Sequence, residues 1–290
     1  MATFPTSVSE FRRVARRTPR VMARTLGAFA SGRNLLAEVD QLREKAQRLE
    51  LQHQRVEVQY MRVITTLIRR HYLDAAVPPA ELRLHVGAQD SVLNFWAKGI
   101  GSSDLVLEAF GEEPPGRMLD WGCGSGRTLF WLRAYPGWRA NYHGTDVDEA
   151  AVAFLEEQGE ERVVACKDDP PLPFPDGHFA GIFSFSVLTH IPPENHPGWW
   201  QEVRRVLQPG GLALITTDSR MSDVPAELAA EFRRSGTAFA TGPGHYKHLS
   251  RVSEEFTRQA IGTTLTVEEF RPRGYLGQDV ILARRPADPD

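Results

Sequence analysis

Apolar positions between Asn34 and about Arg70 recur at alternating three- and four-residue steps: Leu35, Val39, Leu42, Ala46, Leu49, Val56, Tyr60, Val63 and Leu67. No Pro or Gly interrupts the run, so the pattern predicts a long helix with an a/d seam. Glu38 with Arg43, and Lys45 with Glu50, occupy successive g and e positions with opposite sign, as a parallel homodimer through 34–70 would use them. His53 falls at an a position and weakens the seam, leaving open an amphipathic helix packed on its own domain. Pro78-Pro79 closes this region, and a shorter helix is expected after Ser102-Ser103, where a serine can cap it, ending at Gly111 and Pro114-Pro115.

From Gly116 onward the period changes. Short β-rich runs alternate with helical stretches, which predicts a doubly wound, mostly parallel sheet. Strands are expected near 116–121, 141–146, 161–166, 179–185 and 211–217. A final antiparallel pair near 263–270 and 277–284 is expected to turn at Arg271-Pro-Arg-Gly274. Trp199 and Trp200 share a helical face with Val203, Val206 and Leu207, spacing that predicts burial against the sheet. Three regions follow: a basic arm over 1–33, a helical region over 34–112 that dimerises or covers a site, and an α/β domain over 113–290.

Composition adds limits. The 290 residues carry 34 Lys and Arg against 37 Asp and Glu, a formal charge of -3, which gives no global attraction to nucleic acid. The sign is uneven, since Arg12, Arg13, Arg16, Arg17, Arg20 and Arg24 face only Glu10 in the first thirty residues. Such an arm suits a solvated tail, a peripheral membrane contact or a targeting segment. No apolar run approaches the ~20 residues that span a bilayer. The two cysteines, Cys123 and Cys166, are expected on the first and third strands, about 9.6 Å apart at ~4.8 Å per strand. That is too far for a disulfide and fits a reduced cytoplasm.

The chemistry concentrates where Leu119-Asp120 runs into Gly122-x-Gly124-x-Gly126 and then a helix. Glycines there allow a tight turn and close approach of a ligand to main-chain amides. Asp146 lies 24 residues beyond Gly122 at the expected end of the second strand, where a carboxylate takes both hydroxyls of an adenosine ribose. Asp120, two residues before the first glycine, disfavours a pyrophosphate at the helix start and suits a ligand bearing an amine and a sulfonium.

These residues resemble the class I S-adenosylmethionine-dependent methyltransferases of the small-molecule type. Leu119-Asp-Trp-Gly-Cys-Gly-Ser-Gly126 looks like that family's first motif, and Gly144-Thr-Asp-Val-Asp148 like its ribose-binding strand end. Asp168-Asp-Pro-Pro-Leu-Pro-Phe-Pro-Asp-Gly-His-Phe179 is similar to the third motif, Phe183-Ser-Phe-Ser-Val-Leu-Thr-His190 to the fourth, and Val203-Arg-Arg-Val-Leu-Gln-Pro-Gly-Gly211 completes the series. The resemblance implies a Rossmann-like seven-stranded sheet with one antiparallel C-terminal strand, and S-adenosyl-L-methionine as cofactor. It also implies a cofactor site built from Asp120, Gly122, Cys123, Gly124, Asp146, Val147, Asp168, Asp169 and Phe185. Of the two adjacent acids, Asp168 is the better placed for the adenine amino group, and Asp169 suits loop capping. Members usually carry Asp where this chain has Ala180.

A hydroxyl acceptor benefits from a general base. His190 follows the fourth strand and is the first candidate, against a purely structural role; His245 and Tyr246 lie in the polar insert Gly242-Pro-Gly-His-Tyr-Lys-His-Leu-Ser250. No Cys/His or paired-carboxylate spacing suggests a metal. Gly277-Gln-Asp-Val-Ile-Leu-Ala-Arg284 and Arg83-Leu-His-Val-Gly87 resemble bacterial methyltransferases encoded with glycosyltransferases, which implies a sugar or surface-polysaccharide hydroxyl as acceptor. Natural products, quinones and phenols are the alternative acceptors, and a catalytically silent cofactor-binding scaffold is the alternative of another class.

Overall fold

The computed structural model describes residues 77–85, 92–221, 224–242 and 248–288. The basic arm, the heptad region, and the insert carrying His245 and Tyr246 lie outside the described residues.

Seven strands form one sheet: β1 (Met118–Trp121), β2 (Tyr142–Asp146), β3 (Val163–Ala165), β4 (Phe179–Ser184), β5 (Leu207–Thr217), β8 (Thr266–Tyr275) and β9 (Gln278–Arg284), in the order β3-β2-β1-β4-β5-β9-β8. The first five are parallel neighbours, and β9 runs antiparallel to both β5 and β8. The connection leaves β1 toward β2 on one side and returns to β4 on the other. A crevice therefore opens at the carboxyl ends of β1 and β4, the usual ligand position in doubly wound sheets.

Alternation along β1 sorts the core into two layers. Met118 joins Val106, Phe110, Leu132 and Trp138 on one face, whereas Leu119 joins Phe179, Trp199, Trp200 and Val203 on the other. All four β1 residues are buried, as a central strand requires. Trp199 and Trp200 sit on a helix over His196–Val206 as the spacing predicts, and Trp121 stacks on Trp199 at 4.7 Å. The chain preceding the sheet contributes α1 (Ala80–His85) and α2 (Val92–Phe110), and α2 supplies Val106 and Phe110 to the first layer; α3 (Leu129–Leu132) and α4 (Pro136–Asn141) connect β1 to β2.

Several local expectations change. The helix expected to start at Ser102-Ser103 instead runs through both serines. Ser102 Oγ donates to Gly99 O at 3.0 Å and Ser103 Oγ to Ile100 O at 2.9 Å, so back-bonding within the helix replaces capping. The C-terminal hairpin turns at Leu276-Gly277, whose φ values are +48° and +82°, and not at Arg271–Gly274. Those residues form an irregularity inside β8, where the Arg273 N–H donates to the buried Asp279 carboxylate at 3.0 Å. Strand β5 begins at Leu207, four residues before the expected start, because Leu207 pairs with Phe179 ahead of a register shift. An antiparallel pair, β6 (Thr237–Ala240) and β7 (Leu249–Val252), was not anticipated; it brackets the insert after Gly242. Among the described residues no helix is long and apolar enough to cross a membrane.

Trp138 is fully buried, touches Phe110 and Phe183, and donates its indole N–H to Gly111 O at 3.0 Å. Trp138→Ala should cost about 3–5 kcal/mol, measured as a lower urea midpoint with an unchanged m value.

Candidate active site

The crevice is organised by one carboxylate. Asp146 Oδ2 accepts from the Gly124 N–H at 2.7 Å and Oδ1 from the Asp148 N–H at 2.9 Å, so it ties the loop after β1 to the turn after β2. Each carboxylate oxygen has a second acceptor site, and the pair suits two vicinal hydroxyls. Burial pushes the Asp146 carboxyl above its ordinary range, while the Asp148 and Gly124 amides favour the ionised form.

The glycines serve the protein as well as a ligand. Gly122, Gly124 and Gly126 have φ of +80°, +51° and +82°, a region that L side chains rarely enter. A Cβ on Gly122 would lie 2.1 Å from Val187 Cγ2, and one on Gly126 2.7 Å from Leu155 Cδ2. The loop thus packs closely on the segment after β4 and on α5 (Glu149–Glu157). The amides of Gly122 and Cys123 both donate to Thr145 O, at 2.8 and 3.1 Å. Cys123 is buried and both cysteines are free thiols. They fall just beyond β1 and β3, one residue or more past the strand positions expected of them.

Asp120 lies beneath this loop, 2% exposed, and accepts from the Tyr142 hydroxyl at 2.9 Å. Burial raises its pKa to about 7; the Tyr142 hydrogen bond and the Arg127 guanidinium pull it down, and Asp146 pushes it further up. Val147, 43% exposed, follows Asp146 as an apolar surface at the crevice edge. Asp168 and Asp169 are both exposed beyond β3. The segment after them is anchored from below: the Leu172 N–H donates to Glu202 Oε1 at 2.7 Å, and Arg205 bonds Glu202, Asp176 and the carbonyls of Leu172 and Phe174. Phe185 is buried, with its ring 4.8 Å from Tyr275. Ala180, where a family acid is usual, pairs with the start of β1 through the Arg117 carbonyl. It therefore lies at the opposite end of β4 from the crevice.

On the other side of the crevice the segment after β4 meets β7. The His190 Nδ1–H donates to His248 O at 2.7 Å, and the Ser250 N–H to Thr189 O at 2.8 Å. A carbonyl only accepts, so His190 carries its proton on Nδ1 and presents a lone pair at Nε2. Burial lowers the pKa of this imidazole; the His248 carbonyl raises it, and His248 and Arg251 lower it again. Ser186, with φ of +69°, holds a mutual hydrogen-bonding arrangement with Gln278 at 2.9–3.1 Å and donates its N–H to Thr216 Oγ1 at 2.8 Å. Neither Ser186 nor Gln278 stood out in the sequence. Ser186 needed its backbone strain to be visible, and Gln278 its position at the start of β9, beside the carboxyl end of β5. Among the described residues no group of three or more His, Cys, Asp or Glu could hold a metal.

Residues 119–215 match the methyltransferase domain family. The rice (Oryza sativa subsp. japonica) 24-methylenesterol C-methyltransferase 2 is 30% identical over 140 residues, 44% of this chain and 37% of that protein. Methyltransferase GfsG of Streptomyces halstedii is 28% identical over 167 residues, 54% of this chain and 58% of that protein. The chain thus spans less than two thirds of the length of either relative. Among solved structures, the Burkholderia thailandensis 1,6-didemethyltoxoflavin-N1-methyltransferase, with 1,6-didemethyltoxoflavin and S-adenosylhomocysteine bound, superposes with a TM-score of 0.51. It is 17% identical, over 73% of this chain and 93% of that one. The matched segment resembles a methyltransferase domain, and the sheet around it has the fold of that S-adenosylhomocysteine-bound enzyme.

Two outcomes test the site. Asp146→Ala should weaken S-adenosylhomocysteine binding by roughly 1.5–3 kcal/mol, the worth of hydrogen bonds to a charged group; calorimetry giving wild-type affinity would reject the ribose role. Asp120 starts from an unfolded value of 3.8 and titrates near 7 when folded. Between those values the folded protein keeps a proton that the unfolded chain has released, so this group's contribution to stability falls as pH rises through the window. Asp120→Asn should flatten that slope relative to wild type in denaturation titrations across the same range.

Proposed function

We propose that this protein transfers a methyl group from S-adenosylmethionine to a small-molecule acceptor, and that the acceptor nucleophile is a hydroxyl. The fit of the cradle supports the donor: a loop of left-handed glycines, an acid with two spare acceptor sites and an exposed apolar edge at Val147. S-adenosylmethionine supplies a methyl already activated on sulfonium. What remains for the chain is to hold an acceptor in line and exclude water, alignment being worth roughly 7–11 kcal/mol when complete.

The observation that carries the hydroxyl reading is the fixed tautomer of His190. Its pKa is lowered by burial and its Nδ1–H is committed to His248 O, which leaves Nε2 able to accept the proton that an attacking hydroxyl loses. Ser186 and Gln278 add a polar shelf at the same carboxyl edge of the sheet. A sugar or surface-polysaccharide hydroxyl is one form of this acceptor; natural-product, quinone and phenolic hydroxyls are others. A carbon acceptor is the second reading, favoured by the partial likeness to a protein named as a sterol C-methyltransferase.

His190→Ala should leave S-adenosylhomocysteine binding intact and slow turnover by about 10²–10⁴-fold. Radiolabelled methyl transfer to a panel of sugar nucleotides, lipid-linked glycans, phenols and sterols decides the acceptor. Labelling at carbon alone, with little loss in the His190 variant, would reject the hydroxyl reading. Normal cofactor affinity with no acceptor labelled would favour a silent scaffold.

A further inference from the structure

The matched domain begins at residue 119, yet a residue well upstream of it reaches the cofactor cradle. The His85 Nδ1–H, at the end of α1, donates to Asp148 Oδ2. Asp148 is the N-cap of α5: its other oxygen, Oδ1, accepts from the Ala150 and Ala151 amides at 3.1 and 3.3 Å. Its own N–H is the one that Asp146 Oδ1 accepts. An unbroken series of hydrogen bonds therefore runs from His85 through Asp148 to the carboxylate that organises the crevice.

The segment bearing His85 is itself seated on the cradle. Pro78, buried at its start, shares a narrow cavity with Ser125, Gly126, Phe130 and Leu155, that is, with the far end of the glycine loop and with α5. Arg83 donates to Pro78 O at 2.6 Å and braces the segment, and Leu82 turns its side chain into the protein. The Ser125 hydroxyl is buried there, with no hydrogen-bond partner among the described residues. The strand-end turn thus has two supports: one from within the domain, through Gly124, and one from α1.

We propose that His85 is a positioning residue of the S-adenosylmethionine site, gripping Asp148 so that the turn after β2 presents Asp146 to the cofactor ribose. The proposal rests on the donor assigned above. His85 touches none of the reacting atoms; it sets the backbone that Asp146 reads. A carboxylate at Asp148 cannot cap α5 with both oxygens equally well, and committing Oδ2 to the imidazole leaves Oδ1 for the helix amides. That division of labour holds the Asp148 amide aimed at Asp146 before any ligand arrives, so less order is lost on binding.

Calorimetry with S-adenosylhomocysteine on the full chain tests this. His85→Ala should raise Kd about threefold to thirtyfold, the range for a charge-assisted hydrogen bond that solvent partly screens. His85→Asn, whose amide can donate, should recover part of the loss. Asp148→Asn keeps a capping oxygen and should weaken binding to a similar extent, while the double variant His85→Ala/Asp148→Asn should be no weaker than the worse single one. The apo melting temperature of His85→Asn should stay near wild type, which separates positioning from a general loss of stability. Wild-type affinity in His85→Ala, or additive losses in the double variant, would overturn the proposal. Failure of the unaltered protein to bind S-adenosylhomocysteine would instead refute the donor itself.

Discussion

Everything at the crevice depends on Asp146 accepting two backbone amides at once. One comes from the loop after β1 and the other from the turn after β2, so neighbouring parallel strands are locked at their carboxyl ends. The loop can take its left-handed shape because Gly122 and Gly126 admit Val187 and Leu155 where any Cβ would collide. A loop so constrained presents its amides in one arrangement, and the carboxylate retains acceptor sites for a ligand. On the proposed function, structure and recognition are the same contact.

The price of this arrangement is buried charge. Burial raises the pKa of both Asp120 and Asp146, and neighbouring carboxylates add to it: Asp146 disfavours ionisation of Asp120, and Asp148 that of Asp146. Tyr142 compensates by donating to Asp120, and Arg127 lowers its pKa from nearby. A cationic ligand group entering the crevice would relieve the same repulsion, which is the electrostatic sense in which the site suits a sulfonium and an amine better than a pyrophosphate. The opposite wall uses neutral chemistry instead: His190 is held by a carbonyl and Ser186 by an amide side chain.

Much of the sheet was legible because parallel strands buried on both faces read as short apolar runs ended by turn residues. β1, β2, β4 and the buried helix bearing Trp199 and Trp200 fall where the pattern put them. The misplaced features have local causes. Serine hydroxyls can cap a helix or bond back into one, and only the packing of α2 chose between them. Arg271-Pro-Arg-Gly274 has turn composition but was outcompeted by Leu276-Gly277, since Asp279 accommodates the irregularity at Arg273 within the strand. The β6–β7 pair is not legible in the sequence, because four-residue strands carry too little periodicity.

By itself the sequence determined the cradle. Glycine spacing, the acid at the end of β2 and the alternation of strand and helix are local properties, and each imposes its chemistry wherever the chain folds. What only the tertiary structure decided were relations between segments distant in sequence: His85 on Asp148, His190 on the His248 carbonyl, Ser186 on Gln278. No periodicity encodes such pairs, because a single polar side chain gains its partner from the packing of apolar surfaces far from it. The proposed donor cradle was therefore readable along the chain, whereas the proposed acceptor side became visible only when the carboxyl ends of β4 and β5 and the amino end of β9 were brought together.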